Sequence, residues 1–240
     1  MLYEQVAAFK FPKFECGFTI ISSSIFLRDD YIEWFFSILK NIGIDCVFAP
    51  GASLERTSYM DIQIEPLPFE VVCPVDQIQN KDITCSFVGE TRDDYRSKLS
   101  KLADLPGFVI KERKTPYYFL SQSEQELWRR EYNDILGRSR YSLCPRGLGP
   151  GSVRFWESLQ AGAIPILIAD HWKLPDSFDW DSCTIRVYEQ EFNSNPFIVS
   201  KKISLIEKEQ ENKLRQAGLE AYVKFSGAYI IKPIEKYYGL

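Results

Sequence analysis

The chain has 240 residues, 45% of them hydrophobic and 15% aromatic, enough for one large domain or two small ones with real cores. Its formal net charge of −4 lacks the basic excess of a dedicated nucleic-acid binder. No stretch reaches the ~18 apolar residues of a membrane span, and the start carries no signal-type apolar run, so the expectation is a cytoplasmic protein.

In chain order, Phe18–Ser22 reads as a strand. Asp30–Asn41 follows as a helix, with Tyr31, Trp34, Phe35, Ile38 and Ile42 at helical spacing. Gly43 ends that helix, Asp45–Ala49 returns as a strand before the Pro50-Gly51 turn, and Ile62 and Ile64 alternate as a third strand. Residues 1–75 thus form a short β-α-β half, and Pro74–Lys81 reads as a linker. In the second half, Ile83–Val88 is a buried strand ending at Gly89, and Thr91 with Asp94 predicts a capping box. Phe108–Lys111 is a strand, and Ser121 with Glu124 opens a helix running towards Gly137. Tyr141–Leu143 (strand), Ser152–Ala161 (helix), Ile164–Ala169 (strand) and Thr184–Val187 (strand) follow. A long polar helix over Ser200–Lys224 and a terminal helix near Pro233–Tyr238 complete the chain. Strands alternating with helices predict an α/β fold with a parallel, doubly wound sheet, spanning residues 81–225 in this half and leaving 226–240 as a C-terminal helix.

Six cysteines at 16, 46, 73, 85, 144 and 183 form no CxxC pair and read as buried free thiols. Asp179-Trp180-Asp181 matches a DxD metal pattern, but three residues make a weak match, and no metal site is expected there. His171, the only histidine, follows a strand end and reads as a polar loop residue, with contact to a donor sugar as its functional alternative. Lys111–Lys114, with Tyr117 or Tyr118 nearby, borders a nucleobase pocket or is a charged loop. Trp34-Phe35-Phe36 reads as core.

The segment with chemistry runs from Leu143 to Glu157, from a strand end through a glycine-rich turn into a helix start. In an open α/β sheet ligands bind outside the carboxyl ends of the strands. Gly147, Gly149 and Gly151 let backbone approach a ligand, and the helix start at Ser152 favours an anion. Arg146 in the turn and Arg154 in the first helical turn supply cations for a diphosphate. Glu157, three residues on from Arg154, shares its face and supplies a carboxylate for ribose hydroxyls. The turn is neither a P-loop nor a GxGxxG fingerprint. An ordinary βα turn with surface salt bridges is the bland alternative.

Ser139-Arg140-Tyr141-Ser142-Leu143-Cys144-Pro145-Arg146-Gly147, then Arg154, Glu157 and Ala161-Gly162-Ala163-Ile164-Pro165, resembles the exostosin family of glycosyltransferases. The likeness continues through Asp170, Leu174-Pro175 and Phe178-Asp179-Trp180. Upstream, Ser86-Phe87-Val88-Gly89 with Arg92 and Arg96 is similar to the opening of that family's nucleotide-sugar domain. The resemblance implies a GT-B architecture of two Rossmann-like halves, with the donor nucleotide held by the C-terminal half. It implies inverting transfer from a nucleoside-diphosphate sugar, a UDP-sugar by likeness, to a glycan hydroxyl, with no cofactor and no obligatory metal. The donor-site set is then Arg92, Arg96, Arg146, Gly147, Gly151, Ser152, Arg154 and Glu157. Asp29 and Asp30 are the positional candidates for a general base. A catalytically inactive nucleotide- or glycan-binding module of the same fold is the alternative, favoured by the short N-terminal half.

Overall fold

Two hydrophobic patterns, separated in the chain, build two sheets. The computed structural model describes residues 17–20, 27, 29–75, 79–91, 94–227 and 231–238. Strand β1 (Phe18–Ile20), helix α1 (Asp29–Asn41), and strands β2 (Cys46–Ala49), β3 (Ser58–Tyr59) and β4 (Ile62–Pro66) form the first half. Its sheet runs β1-β2-β4-β3, with β1, β2 and β4 parallel and β3 antiparallel at the edge. Ile32, Phe36 and Leu39 line one face of α1 at helical spacing and bury against Val47, Ile62 and Ile64. The β3–β4 hairpin is not foreseen by the sequence reading. Its turn places Met60 (φ 50°) and Asp61 (φ 66°) in the left-handed region, a role that Asn-Gly pairs usually announce.

The second half is a five-stranded, fully parallel sheet of β5 (Ile83–Glu90), β6 (Phe108–Arg113), β7 (Ser139–Pro145), β8 (Ile164–Ile168) and β9 (Ile185–Arg186). The order β6-β5-β7-β8-β9 reverses direction between β5 and β7, which makes that pair the topological switch point. Helices α2 (Asp94–Ser97), α3 (Gln122–Arg138), α4 (Val153–Gln160), α5 (Glu189–Ser194), α6 (Ile198–Ser204) and α7 (Lys208–Phe225) surround it. Helix α8 (Ile231–Tyr238) returns to the first half, where the Tyr237 ring meets Phe48 edge-on at 6.1 Å between centroids.

Local signals hold where both partners are close in the chain. The Ser121 hydroxyl accepts from the Glu124 amide at 3.4 Å, and the Glu124 carboxylate accepts from the Ser121 amide at 2.8 Å, completing the foreseen capping box. The Thr91 hydroxyl donates to Glu112 on the adjacent strand at 3.2 Å, and the capping box expected with Asp94 runs through residues 92 and 93, which lie outside the described residues. The long polar helix is two helices, broken at residues 205–207, because α7 turns Glu211, Leu214, Gly218, Ala221 and Phe225 inward. Asp179-Trp180-Asp181 has a structural job. Asp179 caps the turn by accepting from the Asp181 amide at 3.2 Å, while Trp180 packs into an aromatic cluster with Phe155, Trp156 and Phe225. The five described cysteines (46, 73, 85, 144 and 183) are free thiols, and burial pushes Cys46 and Cys183 up to about 12 and Cys144 to about 11. Cys16 lies outside the described residues. Among the described residues no helix is long and apolar enough to cross a membrane.

Segments of the two halves are stitched together. The Leu54 amide donates to the His171 carbonyl at 2.8 Å, the Lys173 amide to Ala52 at 3.0 Å, and the Trp172 indole to the Pro50 carbonyl at 2.8 Å. Ser53 and Trp172 form an antiparallel bridge at the centre of this seam.

Glu211 joins α7 to the sheet. Its fully buried carboxylate accepts from Arg140 Nε at 3.1 Å, Arg215 Nη2 at 2.5 Å and Lys208 Nζ at 3.3 Å. Burial works to raise its pKa, but the hydrogen bonds and charge of Arg140 and Arg215 outweigh it and hold the carboxyl at about 2. Removing one partner of a buried ion network costs about 3–5 kcal/mol, so Glu211→Ala should lower the urea midpoint by a corresponding amount. Because the folded pKa lies below the unfolded value of about 4.3, this group's stabilisation is complete above that value. It is lost as pH falls through about 2. Glu211→Gln should lack that acid dependence. A Glu211→Ala protein with the wild-type midpoint would contradict the assignment.

Candidate functional site

The carboxyl ends of β5 and β7 open onto a crevice of about 480 Å³. Its floor is Val88–Glu90, one side is the turn and first residues of α4, and the opposite wall is Arg113, Tyr117, Trp128, Arg129 and Tyr132. The crevice therefore sits at the switch point of the parallel sheet.

The turn is built by backbone bonds. The Arg146 amide donates to the Ile168 carbonyl at 2.9 Å, extending the β7–β8 pairing, and the Gly147 amide donates to the Gly151 carbonyl at 3.0 Å, closing a loop with Leu148 at its exposed tip. A Cβ on Gly151 would stand 2.7 Å from Trp172 and 2.9 Å from Phe69, so the loop lies flat on the aromatic core only with glycine there. Ser152 takes the N-cap position of α4 with no side-chain bond to the helix amides. That leaves the amino end of the helix to the crevice it lines.

Arg154 crosses from α4 to the end of β5, where Nη2 donates to the Val88 carbonyl. Its guanidinium lies over the Phe87 ring, 4.3 Å from the centroid, and 5.7 Å from that of Tyr132. Its buried Nε has no hydrogen-bond partner. Glu157 is 5% exposed; it accepts from the Tyr132 hydroxyl and, at 3.2 Å, from the Cys73 amide. Burial raises its pKa against the opposing pull of Tyr132 and Arg154. The same network pushes the Tyr132 hydroxyl well above its ordinary value, with burial the largest cause and Glu157 the next. So Glu157 binds the 72–73 segment to α4 and reaches the crevice only with the lone pairs those donors leave.

The sequence places Arg146 and Arg154 together on one ligand; the structure puts them on different cavities. Arg146 leaves the turn towards α5, with Nε donating to Glu189 at 2.9 Å and the guanidinium 5.0 Å from the Tyr95 ring centroid. It lines a second cavity of about 550 Å³ between the two halves, with Asp29, Glu55, Arg56, His171 and Glu189. Leu148 and Gly149 line both cavities, so the glycine loop is the partition. The reason is strand pairing: bonding of the Arg146 amide to β8 fixes the backbone there and leaves its side chain beside Glu189.

Arg96 is also redirected. It donates to the carbonyls of Arg146 (3.0 Å), Glu90 (3.1 Å) and Pro145 (3.4 Å), so it clamps the turn to the end of β5 as well as lining the crevice. Gly147, Gly151 and Ser152 line the crevice as expected. Arg92 lies outside the described residues. Of the nucleobase-pocket candidates, Tyr117 lines the crevice, whereas Lys111 pairs with Glu131 and the Tyr118 side chain lies outside the described set. Arg113 sits between Tyr117 and Trp128, 5.2 and 5.1 Å from their centroids. The sequence reading missed Trp128, Arg129 and Tyr132, and the signal was there: Trp128 and Tyr132 share one face of α3 at i,i+4. It also missed Glu189, the Arg146 partner.

Two α/β halves joined across a cleft, with a cationic, aromatic-walled crevice at the switch point of the second, define the GT-B class of architecture. The exostosin GT47 domain matches residues 54–202, and the chain belongs to that family of glycosyltransferases. It is similar to the exostosin-1 homolog of Caenorhabditis elegans, 41% identical over 75 residues that make up 30% of this chain and 19% of that protein. It is also similar to exostosin-1 of Drosophila melanogaster, 39% identical over 80 residues, 32% of this chain and 10% of that one. The matched stretch thus spans less than a fifth of each of these relatives. Among solved structures it is similar to the pneumococcal O-GlcNAc transferase GtfA in complex with UDP and GlcNAc. The identity is 11% and the TM-score 0.49, covering 87% of this chain and 47% of that one.

Two glycines separate the site's tolerances. A Cβ on Gly89 would meet Arg154 Nη2 at 2.5 Å, the far end of a flexible side chain, whereas one on Gly151 would meet packed rings. Gly89→Ala should therefore cost about 1.5 kcal/mol, the low end for a hydrogen bond from a charged donor that can swing out to solvent. Gly151→Ala should cost about 2–3 kcal/mol as overpacking. Urea unfolding of both variants checks this, and the reverse order would contradict the described packing.

Proposed function

We propose that the chain is an inverting glycosyltransferase that uses a UDP-sugar, with the nucleotide in the switch-point crevice and an acceptor glycan in the cavity between the halves. The observation that carries this is the convergence of Arg154 and the uncapped start of α4 on a crevice walled by Tyr117, Trp128 and Arg113. A nucleoside diphosphate needs a cation and free amides for phosphate and flat surfaces for the base. Family membership supports glycosyl transfer as the chemistry.

In this reading the acceptor oxygen attacks C1 of the sugar from the Arg146 side of the loop, and the diphosphate departs on the Arg154 side. Negative charge on the leaving group grows towards the transition state. A guanidinium and helix amides fixed in advance stabilise it without reorganising. Arg96 keeps the turn registered to β5, and Glu157 holds the 72–73 segment over the crevice while offering its remaining lone pairs to the ribose. No metal-binding step is invoked.

UDP at 100 times its Kd should stabilise the protein by about 2.7 kcal/mol, visible as a rise in Tm that EDTA leaves unchanged. GDP should give a smaller rise. Arg154→Ala should weaken UDP binding about ten- to a hundred-fold, the loss of a charge-assisted contact. Arg146→Ala should keep UDP affinity within about threefold and lower turnover, because its side chain faces the other cavity. Calorimetry beside single-turnover rates measures both. An Arg154→Ala protein, intact in fold, that binds UDP like wild type would refute the crevice as the donor site.

A further inference from the structure

The cavity between the halves gathers ionisable groups from separate elements: Asp29 on α1, Glu55 and Arg56 after the Pro50-Gly51 turn, Arg146 before the glycine loop, His171 after β8, and Glu189 on α5. Two of its carboxylates are committed. Asp29 accepts from Arg56 Nη2 at 2.7 Å, and Glu189 accepts from Arg146 Nε at 2.9 Å and the Asp170 amide at 3.2 Å. A carboxylate oxygen that already accepts from a guanidinium has fewer lone pairs to offer an incoming hydroxyl. His171 is placed differently. Its Nδ1 stands 3.0 Å from Glu55 Oε1, and a proton on Nδ1 leaves Nε2 as the accepting nitrogen.

The pair is held by the seam between the halves. The His171 carbonyl accepts from the Leu54 amide at 2.8 Å, and Trp172 bridges Ser53, so the residues bearing the two side chains are fixed in register from both halves. An acceptor, an orienting carboxylate and a rigid mount are what a general base requires. The cavity they line adjoins the donor crevice at Leu148 and Gly149.

We propose that His171 is the general base of the transfer reaction and that Glu55 is its positioning residue. The inference rests on the donor site described above. The attacking hydroxyl gives its proton to His171 Nε2 as its oxygen forms the bond to C1. The C1–oxygen bond to the diphosphate breaks, UDP leaves with the electron pair, and the imidazolium returns its proton to solvent. Water in place of the glycan follows the same path, so donor hydrolysis reads the base without an identified acceptor.

The test measures UDP release from UDP-N-acetylglucosamine, UDP-galactose and UDP-glucuronic acid across pH 5–9, with UDP affinity measured in parallel. His171→Ala should lower hydrolysis about a hundredfold or more, keep UDP affinity, lose the acid limb of the pH profile and recover rate with added imidazole. Glu55→Gln should lower the rate less. Glu55→Asp should recover part of that rate, and both Glu55 variants should keep UDP affinity. Hydrolysis by His171→Ala at the wild-type rate would overturn the base assignment and leave the donor site standing. Loss of rate in Glu55→Gln with none in His171→Ala would overturn it in favour of Glu55. A wild-type protein that binds UDP and hydrolyses none of the three sugars would overturn the catalytic reading together with the base.

Discussion

Arg154 reaches the carboxyl end of β5 through space that Gly89 leaves empty, and the crevice takes its shape from that crossing. The guanidinium ties the first turn of α4 to the Val88 carbonyl, so the helix start cannot drift from the sheet. One turn further on, Glu157 ties the same helix to Tyr132 on α3 and to the Cys73 amide. The end of β5, helix α3 and the segment at Cys73, far apart in the chain, therefore meet around Arg154 and Glu157, one turn apart on α4. Phe87 and Tyr132 flank the partly buried cation, where its attraction for an anion is stronger than in open water.

The glycine loop divides labour between two cavities. On one side lie Arg154 and the aromatic wall; on the other lie Arg146, Glu189, Asp29 and the His171–Glu55 pair. The proposed inverting transfer needs such a division, because its leaving-group charge and acceptor deprotonation fall on opposite faces of the reacting carbon. The 50–54 and 171–173 segments hold the halves at this spacing through backbone bonds. Trp172 joins the two systems. Its indole donates to the Pro50 carbonyl while its ring underlies Gly151.

Much of the fold is written in local pattern. Ser121 and Glu124 announce a helix start because both partners of the capping box lie within one turn. The strand–turn–helix from Leu143 to Glu157 is legible because glycine and proline constrain their own backbone. What the pattern does not carry is direction. Arg146 and Arg154 look equivalent in sequence, but the first is turned aside by pairing to Ile168 and by Glu189, 43 residues on. Arg96 looks like a phosphate ligand, and spends donors on carbonyls 49 and 50 residues away. Glu157 reads as a carboxylate free for ribose hydroxyls, and is buried with Tyr132 and the Cys73 amide as donors, 25 and 84 residues distant. The break between α6 and α7 escapes notice because Glu211 reads as one more solvated charge until Arg140 is found opposite it. In each case the deciding partner lies far along the chain.

A crystal structure of the protein with UDP tests the central claim most directly. The account predicts the diphosphate at the Ser152 end of α4 within hydrogen-bond distance of Arg154, the uracil against Trp128 or Tyr117, and the ribose facing Glu157. UDP bound in the cavity of Arg146 and His171, with the switch-point crevice empty, would contradict it.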